Sequence, residues 1–177
     1  MTNIEKFNAI IENECFETVG SLTAIRNKTF SNEVIKSHNL MELNYVHLTF
    51  SDCTFIDIDF RHTYFLYCNF TNCNFTNTVF LKSELESCNF KHCQLFQCDF
   101  GKANVIENNF TDCRFDNVCM VVATFTECEF IKPKFYVDDL YYLNSVILDK
   151  SKVCNSKKCI EVNTFDNFSN IVDDLKD

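Results

Sequence analysis

The chain has 177 residues, one domain's worth, with a net charge of −9 and 20 Phe and 12 Cys against 2 Gly, 1 Pro and no Trp. That acidity disfavours direct binding to a phosphate backbone, which needs Lys and Arg, and suits a surface that competes with nucleic acid for a basic partner. Two glycines leave no glycine-rich phosphate loop, and neither Gly-x-Ser-x-Gly nor His-Glu-x-x-His occurs, so the chain reads as non-enzymatic and without a cofactor.

Residues 1–24 fit two descriptions. Thr2 with Glu5 spells a capping box, and Ile4, Phe7, Ile11 and Cys15 lie on one helical face. Ile10 and Cys15 also fit a five-residue register that Gly20 breaks. We read a short helix or irregular cap over an open end, because an uncovered edge invites end-to-end association.

From residue 25 the chain counts in fives. Ile25, Phe30, Ile35, Leu40 and Tyr45 hold a large apolar slot, with Thr23, Lys28, Glu33, His38 and Leu43 two places earlier. These read as a worn first coil. From Phe50 to Leu140 every fifth residue is apolar, and the residue two before it is usually small, as at Cys53, Thr63, Cys68, Cys73, Ser83, Cys88 and Cys93. A period of five matches neither a helix nor a flat strand. It matches a solenoid whose short sides each point one large and one small residue inward. Four sides make a twenty-residue coil. Phe30, Phe50, Phe70, Phe90, Phe110 and Phe130 recur at that interval and would stack about 4.8 Å apart.

This spelling resembles the pentapeptide-repeat family, whose consensus is Ala, Asp or Asn, Leu or Phe, and two free positions. Asp59, Asn69, Asn74, Asn89, Asp99, Asn104, Asn109 and Asp139 hold the Asp/Asn slot. The chain departs from the consensus in using Cys for Ala, with Asn108 and Pro133 as oddities in the small slot. The resemblance implies an all-β solenoid, a right-handed quadrilateral β-helix over residues 25–140. Residues 1–24 form its cap and residues 141–177 a capping or dimerising segment.

Eight cysteines fall in the inward slot, where parallel stacking is poorly placed for the disulfide dihedral. Without a secretory h-region or an ~18-residue apolar run, the chain reads as soluble, cytoplasmic and reduced, with no membrane. No metal is expected. His92 points outward while Cys88 and Cys93 point inward, and Cys154 and Cys159 make only half of a four-ligand site.

After Leu140 the fives stop. Tyr141, Tyr142, Leu143, Val146, Ile147 and Leu148 make an apolar stretch, and 149–158 reads as a Lys- and Ser-rich loop. Phe165, Phe168, Ile171, Val172 and Leu175 then recur as one face of an amphipathic helix. With Tyr141 and Tyr142 this face is the expected homodimer contact.

The repeat phase also sorts the surface. Sides centred on 65, 85, 105 and 125 present Tyr64, Tyr67, Glu84, Glu86, Glu107 and Glu127, with no Lys or Arg in their outward slots. Sides centred on 60, 80, 100 and 120 present Val79, Leu81, Val121 and Val122, an apolar strip of the kind that marks an interface. The quinolone-resistance members of the family protect type II topoisomerases, and the mycobacterial one mimics duplex DNA on gyrase. The resemblance therefore implies a protein partner, with a type II topoisomerase as its named form, or else a plain interaction scaffold. This chain lacks the loop insertions of the Qnr type between residues 50 and 140, which makes the loop-free mycobacterial form the nearer pattern.

Overall fold

Residues 17–19, 22–36, 40–136, 146–154 and 159–162 are described by the structure, a computed structural model. One large and one small inward residue per five leave room for strands of only three residues, such as Asn69–Thr71. Twenty-residue coils of these strands stack into three sheets, and a fourth side is held by isolated bridges. The result is a quadrilateral β-helix.

Side I is a sheet of parallel strands through Ile25, Tyr45, Phe65, Leu85, Val105, Phe125 and Leu148. Glu17–Val19 adds antiparallel at its first edge. Side II runs through the Phe30-to-Phe130 column and Val153, and Cys159–Val162 adds antiparallel at its last edge. Side III has six parallel strands through Ile35, Phe55, Phe75, Leu95, Phe115 and Phe135. Side IV is bridged Asp59↔Val79↔Asp99↔Cys119. The described part of the worn residues, 25–36 and 40–45, is thus a coil of the solenoid. Of the short helix or irregular cap expected over residues 1–24, the described part is an antiparallel strand pair at 17–19 and 22–24, and the rest lies outside the described residues.

Every described corner from Asn27 to Lys132, with one at Lys150, carries a non-glycine residue at positive φ, for example Asn72 at 54° and His92 at 54°. Asn and Asp tolerate this region best, and a β-branched residue tolerates it poorly. Val122 at 59° is the β-branched exception. The corner amides are not wasted: Asn72 N–H donates to Lys91 O at 2.9 Å, and two residues on Asn74 N–H donates to Cys53 O at 2.9 Å.

Inside, the large column of side II is a run of parallel rings. Phe50 and Phe70 lie 5.1 Å apart at 3°, Phe70 and Phe90 4.7 Å apart at 14°, and Phe90 and Phe110 4.9 Å apart at 15°. Neighbouring columns meet edge to face, as at Phe50–Phe55 with 5.3 Å and 72°. Both arrangements suit the ring quadrupole.

The small column explains why Cys replaces Ala. The carbonyl of a large residue is buried one coil back, and a thiol can donate to it where a methyl cannot. Cys93 donates to Phe70 O at 3.4 Å, Cys113 to Phe90 O at 3.3 Å and Cys128 to Val105 O at 3.3 Å. Thr63 does the same to Leu40 O at 3.2 Å. Asn108 fits this scheme too. Its Nδ2 donates to Leu85 O at 2.8 Å and its Oδ1 accepts from Cys88 N–H, so a fully buried amide is satisfied on both sides. Burial pushes the Cys98 and Cys128 thiols up to about 12.

Two expectations need correction. Residues 149–154 are not loop. Val146, Leu148, Ser151 and Val153 refill the small and large slots, and Leu148 and Val153 pair with Phe125 and Phe130. Their offset is 23 residues instead of 20, so three extra residues hide the return from a count by fives. The cysteines are also not all reduced. Cys154 and Cys159 face each other across the closing antiparallel pair and are joined by a disulfide, Cα–Cα 4.0 Å. Antiparallel pairing supplies the opposed geometry that parallel stacking denies the repeat cysteines. Among the described residues the eight inward cysteines are free and buried, and Cys119, in an outer slot, is free and half-buried. The boundary expected at 140/141 lies outside the described residues.

Candidate functional site

On side I, strand pairing stacks Tyr64, Glu84 and Asn104 in one outward column and Leu66, Glu86 and Ile106 in the next. Tyr67 and Glu107 stand at the corner that follows, where the His47 ring stacks on Tyr67 at 5.0 Å. Five of the six residues singled out on this side are held in different ways. Tyr64 donates its hydroxyl to the Glu86 carboxylate, and both are half-buried. Burial first, and Glu86 second, hold the Tyr64 phenol well above its usual range. Glu107 accepts from Ser87 Oγ at 2.9 Å one coil back. Glu127 faces Lys150 Nζ at 3.5 Å. Glu84 and Glu107 remain exposed without an opposing cation among the described residues.

The side is also less uniformly acidic than its outward slots predict. Lys82 stands at the preceding corner and lines a shallow open groove with Asn44, His62, Thr63, Tyr64 and Glu84. Lys150 enters through the coil that returns after the three-residue insertion. Neither cation belongs to an outward strand slot, so a reading of those slots alone misses both.

The apolar strip on side IV is not a flat hydrophobic surface. Val79, Leu81 and Val121 are half-buried, and only Val122 is exposed. Leu81 folds down over Gly101, where a Cβ would meet its Cδ1 at 3.1 Å and Asp99 Oδ1 at 2.9 Å. The side chain hides in the gap that glycine leaves. The proposed dimer residues Tyr141, Tyr142, Phe165, Phe168, Ile171, Val172 and Leu175 lie outside the described residues.

No three His, Cys, Asp or Glu side chains cluster as a metal site among the described residues. His92 is exposed on a corner while Cys88 and Cys93 are buried. Among the described residues no helix is long and apolar enough to cross a membrane.

A second charged surface went unnoticed. At the last coils of side III, an open groove is lined by His92, Gln94, Asp112, Arg114, Lys132, Lys134 and Tyr136. The Arg114 guanidinium sits 4.3 Å from the centre of the Tyr136 ring and bonds Asp116 at 2.7 Å. The outward slots of sides 115 and 135 carry this signal, once the sides are read one by one for basic as well as acidic residues.

The pentapeptide-repeat family model, in 8 copies, matches residues 53–91 and 88–126. No curated protein matches the chain significantly. Among solved structures, a trypsin-treated form of QnrB1, a plasmid-mediated fluoroquinolone resistance protein, is 16% identical over 71% of this chain and 88% of its own, with a TM-score of 0.32. HetL, a pentapeptide repeat protein involved in heterocyst differentiation regulation from the cyanobacterium Nostoc, is 8% identical over 85% of this chain and 81% of its own, with a TM-score of 0.35. Rfr23 from the cyanobacterium Cyanothece is 11% identical over 72% and 89%, with a TM-score of 0.21. Identities and scores of this size carry no function across.

Proposed function

Because residues 53–126 match the pentapeptide-repeat family model, we propose that the chain is a non-enzymatic protein-binding solenoid. Its acidic side I meets a basic groove on a protein partner, and that partner is a type II topoisomerase whose DNA site the rod occupies. The observation that carries this reading is that side I presents Glu84 from its strand and Glu107 from the corner beside it, both exposed and without an opposing cation among the described residues. Coils repeat about every 4.8 Å, against one duplex charge per ~1.7 Å, so the resemblance to DNA is in overall potential and not in charge-by-charge spacing. Such a potential steers a basic partner and weakens as salt screens it.

Glu86 and Glu127 contribute less, being held by Tyr64 and Lys150. A supercoiling assay with purified gyrase, with and without a quinolone, tests the proposal. The expected result is inhibition of supercoiling or relief of quinolone poisoning, lost in Glu84→Lys/Glu107→Lys. No effect of the unaltered protein on gyrase or topoisomerase IV overturns the topoisomerase assignment.

A further inference from the structure

Side III differs from the rest of this acidic chain. Three of the five exposed large hydrophobics among the described residues, Val34, Phe96 and Tyr136, lie on it. Register stacks Arg114 on Lys134 in one outward column and Phe96, Asp116 and Tyr136 in the other. Asp116 is already neutralised by Arg114. Lys132 and Lys134 have no carboxylate within ion-pair distance among the described residues, and both are exposed. Arginine and aromatic residues around a partly apolar centre are the composition of protein contact sites, whereas scattered lysine is typical of idle surface. Arg114 is also preorganised, stacked on Tyr136 and tied to Asp116, so it loses little side-chain freedom on contact.

The opposite side of the same molecule is the complement. There Glu84 is exposed in one outward column, while Leu66 and Ile106 flank Glu86 in the other. Both sides are ladders of three-residue strands with the same axial repeat. The two outward columns of one side therefore keep step with those of the other, which brings Glu84 and Glu86 and the flanking Leu66 and Ile106 into register with the cations and aromatic rings of side III.

We propose that side III of one molecule docks on side I of a second copy, with Arg114, Lys132 and Lys134 against Glu84, Glu86 and Glu107 and with Phe96 and Tyr136 against Leu66 and Ile106. The contact is heterologous: one molecule keeps its side I free and the other its side III, so association proceeds by rows and does not stop at a closed pair. Few coils take part and much of the attraction is between exposed charges. The association is accordingly weak, concentration-dependent and sensitive to ionic strength. It also covers the surface offered above to a basic partner, so row formation and partner binding compete.

Sedimentation of the full chain over a range of concentrations, at low and at high ionic strength, reads this without reference to any topoisomerase. The expected result is a mass that climbs past the dimer with concentration at low salt and falls back at high salt. Lys132→Glu/Lys134→Glu and Glu84→Lys/Glu86→Lys each abolish the rise when alone. Mixing the two variants restores it, since the reversed side III of one then faces the reversed side I of the other, and that rescue also shows that both are folded. A mass that stays monomeric at low salt overturns the proposal. So does association that survives in both variants alone, which would move the contact to the segment after residue 162.

Discussion

Sides II and IV face each other across the same core and carry the same inward spelling, yet only one of them is a sheet. On side II the Asp/Asn slot holds Asn69, Asn89 and Asn109. Each passes an amide hydrogen to the next, Asn89 Nδ2 to Asn69 Oδ1 and Asn109 Nδ2 to Asn89 Oδ1, both at 3.0 Å. The side chains repeat the axial ladder and leave the strand backbone free to pair. On side IV the slot holds Asp59 and Asp99, which turn inward on their own chain. Asp59 Oδ1 accepts from Arg61 N–H at 3.0 Å, and Asp99 Oδ1 accepts from Gly101 N–H at 2.7 Å. Such local bonds compete with sheet ladders. The backbone closes i to i+3, with Ala103 N–H on Phe100 O at 2.9 Å in the Asp99 coil, and with Ser83 N–H on Phe80 O and Ala123 N–H on Met120 O at 3.0 Å each in the Val79 and Cys119 coils. Interior packing dictates that there be a side at this point, and the turn persists in the coils whose outer slot holds Val79 or Cys119, so the Asp side chains reinforce it without deciding it.

The strongest way to break this comparison is through the ring column of side II. Phe90→Ala removes a ring stacked on both neighbours, and we expect a loss of about 3–5 kcal/mol by denaturant titration. A loss near 1 kcal/mol would mean the column is loosely packed and the interior does not dictate the coil.

Next comes the small slot. Asn108→Ala leaves the Leu85 carbonyl and the Cys88 amide buried and unpaired, for an expected loss of about 2 kcal/mol. A neutral result would reduce the small slot to a matter of volume, and the Cys-for-Ala substitution would lose its hydrogen-bond rationale.

The smallest effect contrasts the corners. Val122 follows the side IV turn at φ 59°, while Asn72 sits at φ 54° between sides II and III. Val122→Asn relieves a β-branched residue in the left-handed region and raises stability by about 1 kcal/mol, and Asn72→Val lowers it by about as much. Equal and opposite shifts in thermal midpoint support a common corner geometry; a loss in both variants contradicts it.

How much of this was legible in the sequence follows from what fixes each residue. Phe30 to Phe130 and the cysteines two places before the large slots are set by packing inside a closed square, so spacing alone reveals them. The return of the coil at Val146–Cys154 is set by pairing with Phe125 and Phe130 across a 23-residue interval, and a strict count by fives steps past it. The Cys154–Cys159 bond depends on that same return and its closing hairpin. Outside, Glu84, Glu107 and Glu127 were legible as outward residues. Whether each is free, bridged by Ser87 or faced by Lys150 is decided by the neighbouring coil. The cations of side III are equally legible at Arg114 and Lys134, but the net charge of −9 does not reveal them, because a sum over the chain hides a local excess of the opposite sign.

The central claim, that side I occupies a basic nucleic-acid site on its partner, is tested most directly by competition. Duplex DNA carrying a fluorescent label is bound to purified gyrase, and the solenoid is titrated in while anisotropy is followed. The account predicts that the unaltered protein displaces the duplex, more weakly as salt rises, and that Glu84→Lys/Glu107→Lys/Glu127→Lys does not. Duplex that stays bound at every concentration of the unaltered protein, or equal displacement by the Lys variant, contradicts it.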